Sequence, residues 1–123
     1  MRHAQYRLEL ADHLAPVAGG VPVFDGIRPG GAALPSITVL WTGTRCSRKD
    51  GWTHGYAVEV LADELGPELD ALIMRIAERV ADWKPNTSAV NATAPDVDPI
   101  TRTVDLVDHP GVAITTSTIE PRV

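Results

Sequence analysis

The side chains in this chain that could carry covalent chemistry are Cys46, His54 and His109, with Asp50 and Asp108 as acids able to orient an imidazole. A nucleophilic thiol needs a base within hydrogen-bond reach, and the base in turn needs an orienting partner. Cys46 stands among Arg45, Arg48 and Lys49, a basic setting of the kind that lowers a thiol's pKa. The spacing of the three residues matches no cysteine-enzyme signature, and any loop cysteine beside basic residues looks the same. An incidental thiol is therefore the preferred reading, and the chain is not expected to be an enzyme.

His3, His13, His54 and His109 have no ligand-like spacing with one another or with Cys46, so no metal site is expected. Gly19-Gly20 and Gly30-Gly31 lack both the strand-turn-helix context and the following Lys-Ser/Thr of a phosphate loop. No cofactor is expected either. Arg45, Arg48 and Lys49 lie close to Trp41 and Trp52, a basic and aromatic grouping that suits single-stranded nucleic acid. A solvated loop is the plainer reading. In a protein that assembles, the same loop becomes an interface element, because Trp and Arg are the residues most enriched at interface hot spots.

Charge supports assembly over nucleic-acid binding. The net charge is −5, and residues 1–62 hold six Lys/Arg against five Asp/Glu, whereas residues 63–123 hold five against eleven. An acidic chain is a poor general binder of phosphate backbones. An uneven distribution of charge can instead orient one molecule against the next.

The elements that must position these residues follow from length and patterning. A chain of 123 residues, 44% of them hydrophobic, suits one domain over residues 1–123 that buries roughly two-thirds of its unfolded surface. One cysteine cannot make an intrachain disulfide. Glu9 and Asp12 interrupt the apolar stretch that a secretory signal needs, and the uncharged run from Pro29 to Thr44 contains prolines and glycines and is too short for a bilayer once Arg28 and Arg45 bound it. A soluble protein, acting inside the cell or in an assembly, is expected. Without a secretory signal, the acceptor-like sequences Asn86-Thr87-Ser88 and Asn91-Ala92-Thr93 carry no weight as glycosylation sites.

Arg2 to Leu14 is ambiguous, since Tyr6, Leu8 and Leu10 alternate as in a strand, but Tyr6, Leu10, Ala11 and Leu14 share a helical face and a helix stopped by Ala15-Pro16 is the favoured reading. Val21 to Phe24 reads as a short edge strand because of Pro22. After Pro35, Ile37, Val39 and Trp41 alternate with Thr38, Leu40 and Thr42 as a strand. The polar segment Gly43 to Gly55 is expected as a long loop joining it to a second strand, Tyr56 to Val60. A helix over Tyr56 to Leu65 is the rival, disfavoured by its β-branched residues.

The clearest helix has Gly66 as N-cap, Pro67 at its first position and Glu68 and Asp70 in its first turn. Leu69, Leu72, Ile73, Ile76, Ala77, Val80 and Trp83 form its inner face, and Arg75, Glu78, Arg79 and Asp82 its outer one, where they are expected to pair locally. Pro85 to Ile100 reads as a long loop with one short strand near Ala89 to Thr93. Thr101 to Val107 and Val112 to Ile119 read as two strands turning at His109-Pro110-Gly111. The sum is an α+β domain: a mostly antiparallel sheet, one long amphipathic helix packed on a face, and an N-terminal helix.

This order carries a resemblance. VPVFDGIRPGGAALPSITV after an N-terminal helix, then GYAVEVLADELGPELDALIMRIAERV and a terminal AITTSTIEPRV, resembles the tail terminator (tail completion) proteins of long-tailed bacteriophages over nearly the whole chain. Its most telling pieces are Val23-Phe24-Asp25-Gly26 followed by Leu34-Pro35 and a strand, and Glu59-Val60 running toward the long helix. Ser36 stands where the family pattern has a tyrosine.

The resemblance implies a virion protein at the tail-neck junction. It would form a six-fold ring that caps the tail tube, stops its polymerisation and joins it to the head-tail connector or stopper protein. Its partners would be itself, the tail tube protein and that connector, with no membrane and no sequence-specific nucleic acid, although DNA passes through such a ring. On that analogy Arg45, Arg48, Lys49 and Trp52 meet a neighbour or the tube, and the acidic helix face at Glu78 and Asp82 lies outside or against a basic neighbour. Other phage neck proteins, such as connectors or stoppers, share the size and are the alternative; a small Cys/His enzyme is the remote one.

Overall fold

The computed structural model describes residues 2–49, 51–85, 90–91 and 94–121. Asp50 and Asn86-Thr87-Ser88, and most of the stretch Ala89 to Thr93, lie outside the described residues. The described elements are α1 (His3–Leu14), one 3-10 turn (Ala15–Val17), β1 (Val23–Asp25), β2 (Ser36–Ser47), β3 (Gly51–Leu61), α2 (Pro67–Ala81), β4 (Val90–Asn91), β5 (Asp96–Val104) and β6 (Val107–Glu120). They form an α+β fold with a mixed, mostly antiparallel sheet in the order β1-β2-β3-β6-β4, β5 pairing with β6 beside β4. Only β1 runs parallel to its neighbour, β2. Among the described residues no helix is long and apolar enough to cross a membrane.

Both helices cover one face of the sheet, and the periodicities predict which side chains they bury. Tyr6, Leu10, Ala11 and Leu14 of α1 are buried, the same four positions that share its apolar face in the sequence. In α2, Leu69, Leu72, Ile76 and Val80 are buried and Ile73 and Ala77 half-buried, with Trp83 buried just beyond the helix. They meet Ile37 and Val39 of β2, Tyr56, Val58 and Val60 of β3, and Ile114 of β6 in one cluster. Alternate residues along a strand point to opposite faces, so these odd positions of β2 and even positions of β3 lie on the same side. Gly66 caps α2 and Pro67 opens it, as expected. At 15 residues the helix is of ordinary length.

Arg75 and Arg79 depart from the expected local pairing on the outer face of α2. Arg79 Nε donates to the His13 carbonyl (2.9 Å) and Arg75 Nε to that of Val17 (3.3 Å), while His13 Nε2 reaches the Arg79 carbonyl (2.8 Å). Arg79 serves a carbonyl in the last turn of α1, where carbonyls lack partners within the helix, and Arg75 serves one in the 3-10 turn that follows. They fasten one helix to the other. Burial holds the His13 imidazole below its ordinary pKa of 6.5, partly offset by its hydrogen bond to the Arg79 carbonyl.

Three loop expectations give way to strand. Gly43 to Gly55 is not a long loop: β2 continues to Ser47, β3 starts at Gly51, and the ladder runs from Ser36↔Leu61 to Ser47↔Gly51 with one irregularity between Trp41 and Gly43. Polar Thr, Arg and Ser are tolerated in this part of β2 because β1 pairs only with Ile37 to Val39, so β2 is an edge strand from Leu40 on, while β3 keeps β6 as a neighbour as far as Trp52. The short strand expected near Ala89 to Thr93 is present as β4, but the loop expected up to Ile100 is shorter, since the first half of β5 falls inside it. Pro99 is accommodated because β5 is an edge strand. Counting alternately from the closing pair Val104↔Val107 puts Pro99 where an N–H would point away from β6.

The turn expected at His109-Pro110-Gly111 lies instead at Asp105-Leu106, both with positive φ (52° and 68°) between Val104 and Val107. This is a two-residue hairpin with the signs of a type I′ turn. His109, Pro110 and Gly111 sit inside β6, opposite Arg102, Thr101 and Ile100. Gly111 is also opposite Leu61, and a Cβ there would stand 2.2 Å from the Val60 carbonyl oxygen. Close approach of two backbones, not a turn, is what requires glycine at this position.

Candidate functional site

The β2–β3 hairpin ends in a basic tip. Arg45, Arg48 and Lys49 are exposed, as is Cys46, while Trp52, paired with Cys46 across the hairpin, is half-buried. The four expected interface residues Arg45, Arg48, Lys49 and Trp52 therefore do come together. Glu78 and Asp82 are exposed as well, but they stand at the far end of α2 on the helix layer and belong to a different surface.

Below the tip lies a buried polar chain. His54 is fully buried; its Nδ1 is 2.8 Å from Thr44 Oγ1 and its Nε2 is 2.9 Å from Glu120 Oε1. Thr44 Oγ1 also accepts from Trp41 Nε1 (3.0 Å), and Glu120 Oε1 also accepts the Arg2 backbone N–H (2.9 Å). With Trp41 donating to it, the Thr44 hydroxyl is free to donate to Nδ1, which leaves Nε2–H to donate to the carboxylate. The ring is flanked by Tyr6 (centroids 5.7 Å apart) and His3 (6.1 Å), and His3 lies 4.3 Å from Trp41. Burial alone would raise the Glu120 carboxyl; the hydrogen bonds from His54 and the Arg2 backbone outweigh it and hold the group below its ordinary value.

A hydroxyl, an imidazole and a carboxylate in series have the order of a catalytic relay, but here each atom is committed to structure. His54 has both nitrogens engaged and no exposed surface. The chain ties β2, β3, the end of β6 and the start of α1 together directly beneath the hairpin tip. The constellation considered from sequence is not assembled either. His109 faces Arg102 near the opposite end of the sheet, and the ring nitrogens of His54 serve Thr44 and Glu120 rather than Cys46. Asp108 accepts a hydrogen bond from Thr103 Oγ1 (2.6 Å). Among the described residues no three His, Cys, Asp or Glu side chains cluster as metal ligands. Sequence reasoning missed Thr44 and Glu120 because their meeting depends on register: Thr44 is opposite His54 and Glu120 is opposite Trp52, diagonal to His54.

The other end of β3 carries the opposite charge. A groove of about 630 Å³ opens between the 3-10 turn and the loop from β3 into α2, with Asp63, Glu64 and Glu68 on its rim and Arg75 on one wall. Its floor includes Leu69 and Leu72, and Leu65 at its edge is 75% exposed. At about 3.3 Å per residue, β3 holds this groove and the basic tip roughly 33 Å apart.

Fold and surface together define an α+β protein with open sheet edges and oppositely charged ends. No known family profile matches the chain, and no curated protein sequence is significantly similar to it. Among solved structures it is similar to a chain of the virion of the native gene transfer agent (GTA) particle, with a TM-score of 0.43 and 15% identity over 95% of this chain and 91% of that one.

Proposed function

We propose that this chain is a structural virion protein that assembles head to tail into a closed ring, caps a tail tube, ends its polymerisation and joins it to the head-tail connector. Its partners are further copies of itself, the tail tube protein and the connector. DNA passes through the bore without being read. The virion neck is its place, and no covalent chemistry is assigned to it. The observation that carries this reading is the separation of charge along the sheet: a basic hairpin tip at one end and an acidic groove at the other. A molecule with complementary ends joins its copies through a heterologous contact, and such a contact either continues as a filament or closes as a ring. The edges of β1 and β5 add backbone groups able to pair across a subunit boundary. The family resemblance of the sequence supplies the six-fold count and the place at the tube end.

The test is to mix the purified protein with tail tubes and examine them by negative stain. A density added at one end of each tube, with tube growth arrested, is the expected result. Tubes that keep growing with bare ends overturn the capping role.

A further inference from the structure

Among the described residues neither charged end is spent on an ion pair within the chain. Among the described residues the ion pairs are Arg7–Asp25, Arg102–Glu59 and His54–Glu120, none of which includes a residue of the tip or of the groove rim. The two ends are also rigidly apart, since β3 spans the distance between them and is paired on both sides along its length. They cannot meet within one molecule. Past the Trp52↔Glu120 pair the hairpin loses β6 as a neighbour, so only its end at Ser47↔Gly51 is two strands wide, and the Thr44–His54–Glu120 chain stiffens the sheet directly beneath it. The groove has the volume of a site that takes a few side chains. Its acidic rim matches ammonium and guanidinium groups, and its apolar floor and Leu65 match the methylene stems that carry them.

We propose that the occupant of this groove is the β2–β3 tip of a second copy of the chain, with Arg45, Arg48 and Lys49 of one protomer against Asp63, Glu64 and Glu68 of the next. The inference rests on the ring reading above and names the contact that builds the ring. Because donor and acceptor surfaces differ, every copy in a closed ring has both filled.

The test uses two triple variants of the full chain: a tip variant, Arg45→Glu with Arg48→Glu and Lys49→Glu, and a groove variant, Asp63→Lys with Glu64→Lys and Glu68→Lys. Each alone places like charges against each other, and self-association read by sedimentation should weaken by at least ~100-fold. An equimolar mixture restores both contacts in alternation and should assemble as the wild type does. Assembly of either variant alone at wild-type strength, or a mixture that stays monomeric, overturns the pairing while leaving a ring built by other surfaces. A wild type that is monomeric at every concentration overturns the ring reading itself. Should a triple variant fail to fold by circular dichroism, Arg48→Gln and Glu64→Gln replace it. Their double-mutant cycle is then read: non-additive loss supports the pairing and additive loss overturns it.

Discussion

Gly111→Ala tests the register on which the whole sheet depends. In β6, Gly111 lies between Leu61 of β3 and Ile100 of β5, and a Cβ at that position would be 2.2 Å from the Val60 carbonyl oxygen, 2.8 Å from Leu61 Cδ2 and 3.1 Å from the Val60 carbonyl carbon. Leu61 can rotate away, but the nearest atom is backbone in the strand next door. Restoring an ordinary contact requires β3 and β6 to part by about 1 Å at a position where both are held, a local overpacking that costs about 3 kcal/mol. For a domain of this size that corresponds to a fall in Tm of roughly 10–15 °C. The assay is thermal unfolding by circular dichroism, with Gly30→Ala as control because nothing lies within 4 Å of a Cβ there. The control should stay within about 2 °C of the wild type. A Gly111→Ala protein as stable as the control would refute the pairing of Gly111 with Leu61.

Leu106 sits at φ 68° in the β5–β6 turn and is 97% exposed, so Leu106→Gly should stabilise the fold by about 1 kcal/mol, read as a higher denaturant midpoint with unchanged slope. Ile76→Ala removes a fully buried side chain from the centre of α2 and should cost about 2–5 kcal/mol in the same assay. The lowered pKa of Glu120 gives a stability contribution that is present above the unfolded carboxyl's pKa and is lost as pH falls through the folded one. Wild-type stability should therefore fall more steeply than that of Glu120→Gln between about pH 5 and 3, and parallel profiles would remove the contribution of the His54–Glu120 contact.

The helices were the most legible part of the sequence, because a three- and four-residue period with Gly-Pro at its start leaves little freedom in where α2 begins or which side it buries. The hairpins were legible as pairs of strands but not in extent. Gly43 to Ser47 reads as loop by composition, yet beyond Val39 β2 is an edge strand with no strand on its outer side, so polarity says nothing against strand there. His109-Pro110-Gly111 misled for a specific reason. Pro-Gly is a good turn pair in isolation, but Gly111 is needed where β6 crosses close to Val60, and Pro110, one step past the last residue of β3, interrupts no rung of that ladder. The Asp105-Leu106 turn has no such signature, because leucine is a poor residue for a left-handed conformation.

Of the candidate site, the basic residues were visible from composition alone. The buried chain of Thr44, His54 and Glu120 and the acidic groove were not, since each joins residues far apart in sequence through register that only the folded sheet provides. His54 was singled out for chemistry with Cys46, and the structure gives it a positioning role instead.

The central claim is that copies of this chain close into a ring, and the most direct measurement is the sedimentation mass across a wide concentration range, alone and with tail tubes present. The account predicts a discrete species of about 79 kDa, six chains of 13.2 kDa, that dissociates as salt is raised. A 13.2 kDa monomer at every concentration, unchanged when tubes are added, contradicts it.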